Sequence, residues 1–240
     1  MIKIAIIGYG KMGKEIESTA QDFNYQIISI IDQNNNLIDE IKKHKPDVAI
    51  EFTNANAVVN NIKTCVDMRI PVVSGTTGWD NELEEIKEYT LQNNGSVLWG
   101  SNFNLGVNLW FDFVDYISEK MKTYEDYKVR LEEIHHIHKL DKPSGTAIQA
   151  AQIVMKHYNF KNWSLDDKEE DYLNIKSIRQ GEEVGTHSVI FTSLFDQITI
   201  EHKNFSRKTL AIGALTAANW IIDHPGFYIF HDVYQEIFNQ

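Results

Sequence analysis

Residues 2–7 form a short β-branched run that ends in Gly8-Tyr9-Gly10-Lys11-Met12-Gly13, and an amphipathic stretch follows to about residue 23. This order of strand, glycine turn and helix constrains the fold more than any other feature of the chain. The GxGxxG spacing allows a tight turn, close approach of backbone to a pyrophosphate, and close helix packing, with a helix N-terminus facing the negative charge. A second apolar run, residues 27–31, stops at Asp32. A carboxylate there can bind the ribose hydroxyls of a dinucleotide. Gln33 follows and no arginine is near, so the pattern leans mildly toward NADH over NADPH, with Lys11 as the one compensating cation. An ordinary glycine turn with a loop aspartate is the bland alternative.

Further strand candidates at 48–52, 72–74 and 97–99 alternate with helical patterns over 57–68 and 81–91. Alternation of this kind implies parallel strands with crossover helices, an α/β Rossmann-like doubly wound sheet. Gly75-Thr76-Thr77-Gly78 and Gly100-Ser101-Asn102-Phe103 follow the fourth and fifth strands, so they gather at the strand ends where a nicotinamide ribose and carboxamide would lie. Gly75, Thr76, Thr77, Gly100, Ser101, Asn102 and Phe103 therefore join residues 8–13 and Asp32 as candidate cofactor contacts.

After residue 104 the pattern changes. A helix to about 122, a strand over 127–134 and a helix beyond Ser144 precede an acidic loop (Asp166, Asp167, Glu169, Glu170, Asp171). Two alternating segments, one with Val189 and Phe191 and one with Ile198, Ile200 and His202, read as antiparallel strands. A helix over 208–222 and a short aromatic tail, 227–238, close the chain. The expected organisation is a dinucleotide-binding domain of residues 1–104 and 214–240. Residues 105–213 make a second, α+β substrate and oligomerisation domain with a mixed sheet. Crossings near Asn104 and Gly213 would act as a hinge.

The 240 residues carry a net charge of -11, the wrong sign for a general nucleic-acid or anionic-membrane binder. An anionic ligand therefore needs a local cluster of cations and N–H donors. The single cysteine, Cys65, excludes an internal disulfide framework and reads as a buried hydrophobe. No leader or membrane span is apparent, which points to the cytoplasm.

The local cluster is Glu133-Ile134-His135-His136-Ile137-His138-Lys139-Leu140-Asp141-Lys142-Pro143-Ser144-Gly145-Thr146-Ala147, which holds three of the nine histidines and two lysines. Histidine titrates near neutrality, lysine is a point donor, and Ser144-Gly145-Thr146 opens a helix whose first N–H groups and two hydroxyls suit a carboxylate. A zinc site, a surface histidine patch beside a capped helix, and an acid plus carboxylate site for an anionic substrate are the three readings.

The string His-His-x-x-Lys-x-Asp-x-Pro-Ser-Gly-Thr-Ala, residues 135–147, resembles the signature of the 4-hydroxy-tetrahydrodipicolinate (dihydrodipicolinate) reductase family. So do the N-terminal GxGxxG, Ser74-Gly75-Thr76-Thr77-Gly78, the run of residues 101–108, Arg179-x-Gly181-x-x-x-Gly185-x-His187, His202 with Ser206-Arg207, and Gly213-Ala214-Leu215. Glu51-Phe52-Thr53 stands where the family usually has Asp-Phe-Ser, and Arg130 replaces its usual acid. The resemblance implies an NADH- or NADPH-dependent oxidoreductase of the diaminopimelate and lysine pathway, which delivers hydride to a cyclic unsaturated imine with two carboxylates. It implies His135 and Lys139 as catalytic groups and His136, Ser144, Gly145 and Thr146 as substrate contacts. No metal is required, and a homotetramer assembled through the second sheet is usual. Another two-domain amino-acid-type dehydrogenase, similar to aspartate dehydrogenase, and a non-catalytic dinucleotide-sensing module are the alternatives.

Overall fold

The structure, a computed structural model, describes residues 1–166 and 171–239. The chain divides into two compact units, Met1–Leu105 with Lys208–Gln240, and Gly106–Arg207.

The first unit is a six-stranded sheet of β1 (Ile2–Ile7), β2 (Tyr25–Ile31), β3 (Val48–Glu51), β4 (Val72–Ser74), β5 (Ser96–Trp99) and β11 (Gly226–Ile229). Every pairing is parallel, and the spatial order is β11-β5-β4-β3-β1-β2. The helices are α1 (Lys11–Ala20), α2 (Leu37–His44), α3 (Ala55–Asp67), α4 (Leu83–Gln92), α7 (Lys208–Ile221) and α8 (Phe230–Phe238). The last four residues of β1 and all four of β3 are buried, as expected of strands covered on both faces. Cys65 lies in the core beside Val58, Ile62 and Val72, and burial pushes its thiol up to about 12.

After β1 the chain winds one way to β2 and then crosses back to β3 on the other side of β1. This reversal makes the β1/β3 junction the switch point of the sheet. Crevices outside the carboxyl ends of strands open at such points.

The second unit carries β6 (Lys128–His135), β7 (Asn162–Ser164), β8 (Tyr172–Arg179), β9 (Gly185–Thr192) and β10 (Gln197–Asn204), with α5 (Leu105–Met121) and α6 (Gly145–Met155). The order is β10-β9-β6-β8-β7. β9 pairs antiparallel with β10 and β6, while β6 and β7 pair parallel with β8, so the sheet is mixed. Trp110, Phe111 and Val114 of α5 and Ala150, Ala151 and Val154 of α6 pack on Leu131, Ile175, Val189 and Phe191 of the sheet.

Several sequence expectations shift. The return crossing falls at Arg207–Lys208, ahead of α7 rather than inside it at Gly213, because α7 packs as one helix on β3, β4, β5 and α1. The aromatic tail is a sixth parallel strand and an amphipathic helix. β8 and the short α2 carry too many polar residues to signal themselves by hydropathy alone. Of the acidic loop, Asp167, Glu169 and Glu170 lie outside the described residues.

Candidate active site

In the first unit, a cleft of about 600 Å³ opens at the β1/β3 switch point, lined among others by Gly8, Tyr9, Gly10, Asp32, Thr53 and Asn54. Gly8 sits at φ +94°, and a Cβ there would lie 2.1 Å from the Phe52 carbonyl oxygen. At Gly13 a Cβ would fall 2.3 Å from the Gly8 carbonyl, so its absence lets α1 start close beneath the turn. Around Gly10 a Cβ would meet nothing within 4 Å, which leaves the backbone open to a ligand. The glycines thus divide into turn, approach and packing roles. Lys11 is exposed at the start of α1 and Met12 half-buried. Asp32 closes its own turn: Oδ1 accepts the Asn34 N–H at 2.8 Å, and its N–H donates to Asn35 Oδ1 at 3.0 Å. These features fit a dinucleotide.

The other candidate contacts are held differently. Thr76 is buried, with its carbonyl accepting the indole N–H of both Trp79 (2.7 Å) and Trp99 (2.9 Å), while Thr77 is exposed at the tip of the same loop, beside the half-buried Gly75. Gly100 is buried against Phe230, Ser101 is exposed, and Asn102 Oδ1 accepts the Asn104 N–H at 2.9 Å. The Phe103 ring packs in the core against Phe230 and Phe52, at centroid distances of 4.6 and 6.1 Å. Thr53 and Asn54 line the cleft because β3 ends beside β1, a relationship that no local pattern carries.

In the second unit, the site grows from the ends of β6, β8 and β9 and the start of α6. Glu133, with no solvent exposure, is its hub. Its carboxylate accepts the Ser144 N–H at 3.2 Å, the Ser177 hydroxyl, and Arg179 Nη2 at 3.1 Å, and His135 Nδ1 lies 3.1 Å from Oε2. Burial alone would raise this carboxyl, but donors from His135, Ser144 and Ser177 outweigh it and hold the group well below the usual carboxylate range.

His187 stands beside His135 with ring centroids 5.0 Å apart, and its Nε2 lies 3.1 Å from Ser144 Oγ. Burial, with the nearby His135, pushes its imidazole down to about 3. Ser144 caps α6 by accepting the Ala147 N–H at 3.2 Å. Both its N–H and its hydroxyl are engaged, so the open donors of the cradle are the first-turn N–H groups of Gly145 and Thr146, which have no intrahelical partner. A Cβ at Gly145 would meet nothing within 4 Å.

Lys139 pairs with Asp141 at 2.8 Å, and Arg179 reaches the carbonyls of Lys139 and Asp141, tying this loop to Glu133. The three signature histidines do not converge on one point. His136 Nε2 lies 3.2 Å from Arg207 Nη2, and His138 lies 3.7 Å from Glu182. Burial and the Arg207 charge lower the His136 imidazole. Glu133, His135 and His187 place one ligand atom each within 4.8 Å, but Arg179, the Ser144 N–H and the Ser177 hydroxyl already claim that carboxylate, which favours a hydrogen-bond hub over a cation site. Glu133, Arg179, Ser177 and His187 went unassigned on sequence grounds. Glu133 stands two residues before His135 on the same face of β6, a spacing the sequence carries, whereas His187 stands directly opposite Glu133 only through strand register.

Two profiles of one family match this chain: dihydrodipicolinate reductase, N-terminus, over residues 2–103, and dihydrodipicolinate reductase, C-terminus, over residues 106–234. The chain belongs to the dihydrodipicolinate reductase family. It is an NAD(P)H-dependent oxidoreductase of that family. The 4-hydroxy-tetrahydrodipicolinate reductase of Christiangramia forsetii is 39% identical, with 99% of each chain covered. That of Archaeoglobus fulgidus is 36% identical over 81% of this chain and 78% of its own. Among solved structures, a dipicolinate-bound dihydrodipicolinate reductase from Paenisporosarcina superposes with a TM-score of 0.79 at 24% identity, over 97% of this chain and 99% of that one, which shows the shared fold. Within this dihydrodipicolinate reductase family member, the first unit holds the cleft beside the glycine turn and the second the histidine, lysine and helix-start cluster. No helix among the described residues is long and apolar enough to cross a membrane.

Proposed function

We propose that this chain reduces 4-hydroxy-tetrahydrodipicolinate to tetrahydrodipicolinate in the diaminopimelate and lysine pathway, with net consumption of one hydride and one proton and loss of water. The observation that carries the reading is the Glu133–His135 pair beside the open start of α6, with Lys139 on the intervening loop. The nicotinamide, when bound, supplies the hydride.

Hydride addition to a conjugated imine leaves electron density that an acid must quench. We assign that role to His135. With Nδ1 turned to Glu133, its Nε2 is the exchanging nitrogen, and Gly185, whose Cβ would lie 3.0 Å away, leaves it room. Lys139 donates to the substrate, exchanging its pairing with Asp141 for a carboxylate or the imine nitrogen. The Gly145 and Thr146 N–H groups hold a carboxylate, with Thr146 Oγ1 and His136 as further substrate contacts and Ser144 fixing the helix start. Cofactor contacts come from residues 8–13, Asp32, Gly75, Thr76, Thr77 and residues 100–103.

NADH is the favoured cofactor. Among the described residues the cleft around Asp32 is lined by Gln33, Asn35, Asn36 and Asn60 and by no lysine or arginine, so a 2′-phosphate meets a carboxylate without a counter-charge in that lining. A homotetramer through the second unit's sheet is the assembly the resemblance implies, and Leu194 and Phe195, exposed at the hairpin tip, are apolar surface compatible with it. A cytoplasmic location fits this metabolic role.

The test is oxidation of NADH, followed at its nicotinamide absorbance, on addition of freshly generated dihydrodipicolinate synthase product. Turnover that depends on that product supports the reading. Turnover with aspartate-type substrates only, or NADH binding with no turnover, would replace it with one of the alternatives. His135→Ala and Lys139→Ala should each remove most activity while leaving NADH binding intact.

A further inference from the structure

Beneath the dinucleotide cleft lies a carboxyl group that the proposed chemistry does not use. Glu51 ends β3 with no solvent exposure. One oxygen, Oε2, accepts the Ser74 hydroxyl at 2.7 Å, and the other, Oε1, accepts both the Thr53 N–H at 3.1 Å and the Thr53 hydroxyl. The same Thr53 N–H also donates to Thr76 Oγ1 at 2.8 Å, and the Glu51 carbonyl accepts the Gly75 N–H at 2.9 Å. Two adjacent strand ends are thus joined through one side chain. Thr76 is held from the far side by the indoles of Trp79 and Trp99, so the base of the loop is braced on both flanks while Thr77 stays exposed at its tip.

Burying a carboxyl group costs more than burying an apolar side chain of the same volume, and apolar replacements of buried polar clusters are often neutral or stabilising. Stability alone therefore gives little reason for an acid here. Geometry gives one: a single glutamate reaches Ser74 with one oxygen and Thr53 with the other, and so sets the spacing of the β3 and β4 loops.

We propose that Glu51 is a positioning residue for the nicotinamide half of the dinucleotide, acting through Thr53 and Thr76 on the Gly75–Thr77 loop. This rests on the reading of the first unit as the NAD(P)H-binding unit. The adenosine half, near Asp32, meets the network only at its edge, through Thr53 and through Asn61, which donates to Glu51 Oε1 at 3.5 Å and to Thr53 Oγ1 at 3.4 Å, whereas Ser74, Gly75 and Thr76 do not line that cleft.

The experiment compares binding of NADH, read by quenching of tryptophan emission, with binding of ADP-ribose, read by calorimetry, in wild type and Glu51→Gln. The expected result is an NADH Kd raised about fivefold, the equivalent of one hydrogen bond, with the ADP-ribose Kd within about twofold of wild type. Glu51→Asp, shorter by one methylene, should fall between the two. Steady-state kinetics should show KM for NADH rising while KM for the imine substrate holds. Equal changes for both ligands, or no change in a folded variant, would overturn the proposal. Should Glu51→Gln fail to fold, Ser74→Ala removes one arm of the network and is held to the same criterion. A wild type that binds ADP-ribose but not NADH overturns the proposal as well, and one that binds neither overturns the underlying reading of the unit.

Discussion

His135 Nδ1 lies 3.1 Å from Oε2 of Glu133, a carboxylate shut off from solvent and gripped at the same time by Arg179 and the N–H of Ser144. A histidine so placed has its orientation set by β6 itself, since the two residues point to the same face of one strand.

Glu133→Gln keeps the shape of the hub and removes its charge. With the charge gone, His135 loses the carboxylate that orients its Nδ1, and kcat should fall on the order of a hundredfold. NADH affinity should stay at the wild-type value because the change lies in the second unit. Full activity in this variant would remove Glu133 from the mechanism.

His187 predicts an acid-side loss of stability. Burial and the neighbouring His135 lower its imidazole from 6.5 to about 3, so in that window the unfolded chain binds a proton that the folded chain does not. Its contribution is complete above pH 6.5 and is lost as pH falls toward 3, at about 1 kcal/mol per pH unit. Glu133, also lowered, adds its own loss once pH drops below the ordinary carboxylate value of 4.5. Urea unfolding of His187→Asn between pH 6.5 and 4.5 should show a flatter slope than wild type, and parallel slopes would contradict the assignment.

Gly8 and Gly10 should separate folding from binding. Gly8→Ala forces a side chain into φ +94° and onto the Phe52 carbonyl, at a cost of about 1–3 kcal/mol or more. Gly10→Ala meets no protein atom, so its Tm should stay within about 2 °C of wild type while NADH binding weakens. An unchanged NADH affinity in Gly10→Ala would place the pyrophosphate elsewhere.

Asp32 should govern the choice of cofactor. Wild type is expected to favour NADH over NADPH by about tenfold in kcat/KM, and Asp32→Ala to bring the ratio near one by removing both the ribose acceptor and the repulsion of a 2′-phosphate. Parallel titrations of the two cofactors measure it, and a wild-type preference for NADPH would reverse the reading.

Much of the first unit was legible because its signals are local. The glycine spacing after β1, Asp32 at the end of β2 and the buried apolar runs of β3, β4 and β5 each announce themselves within a few residues. β8 was not legible, since its inward Leu173 and Ile175 give way to Ser177 and Arg179 where the strand enters the site. β11 was missed because its partner, β5, lies far away in sequence and only the sheet brings them together.

The same divide runs through the candidate site. Residues 135–147 are contiguous, so their cations, hydroxyls and helix start can be read directly against the chain's acidic balance, and the family follows from them. What the tertiary structure alone decided is how those groups are supported. Arg179, Ser177 and His187 reach Glu133 from strands paired to β6, and Thr53, Ser74 and Thr76 meet at Glu51 from neighbouring strand ends. Short-range patterning depends on chemistry along the chain, whereas these hubs exist only once strand register has set which side chains face one another, and register is a property of the folded sheet.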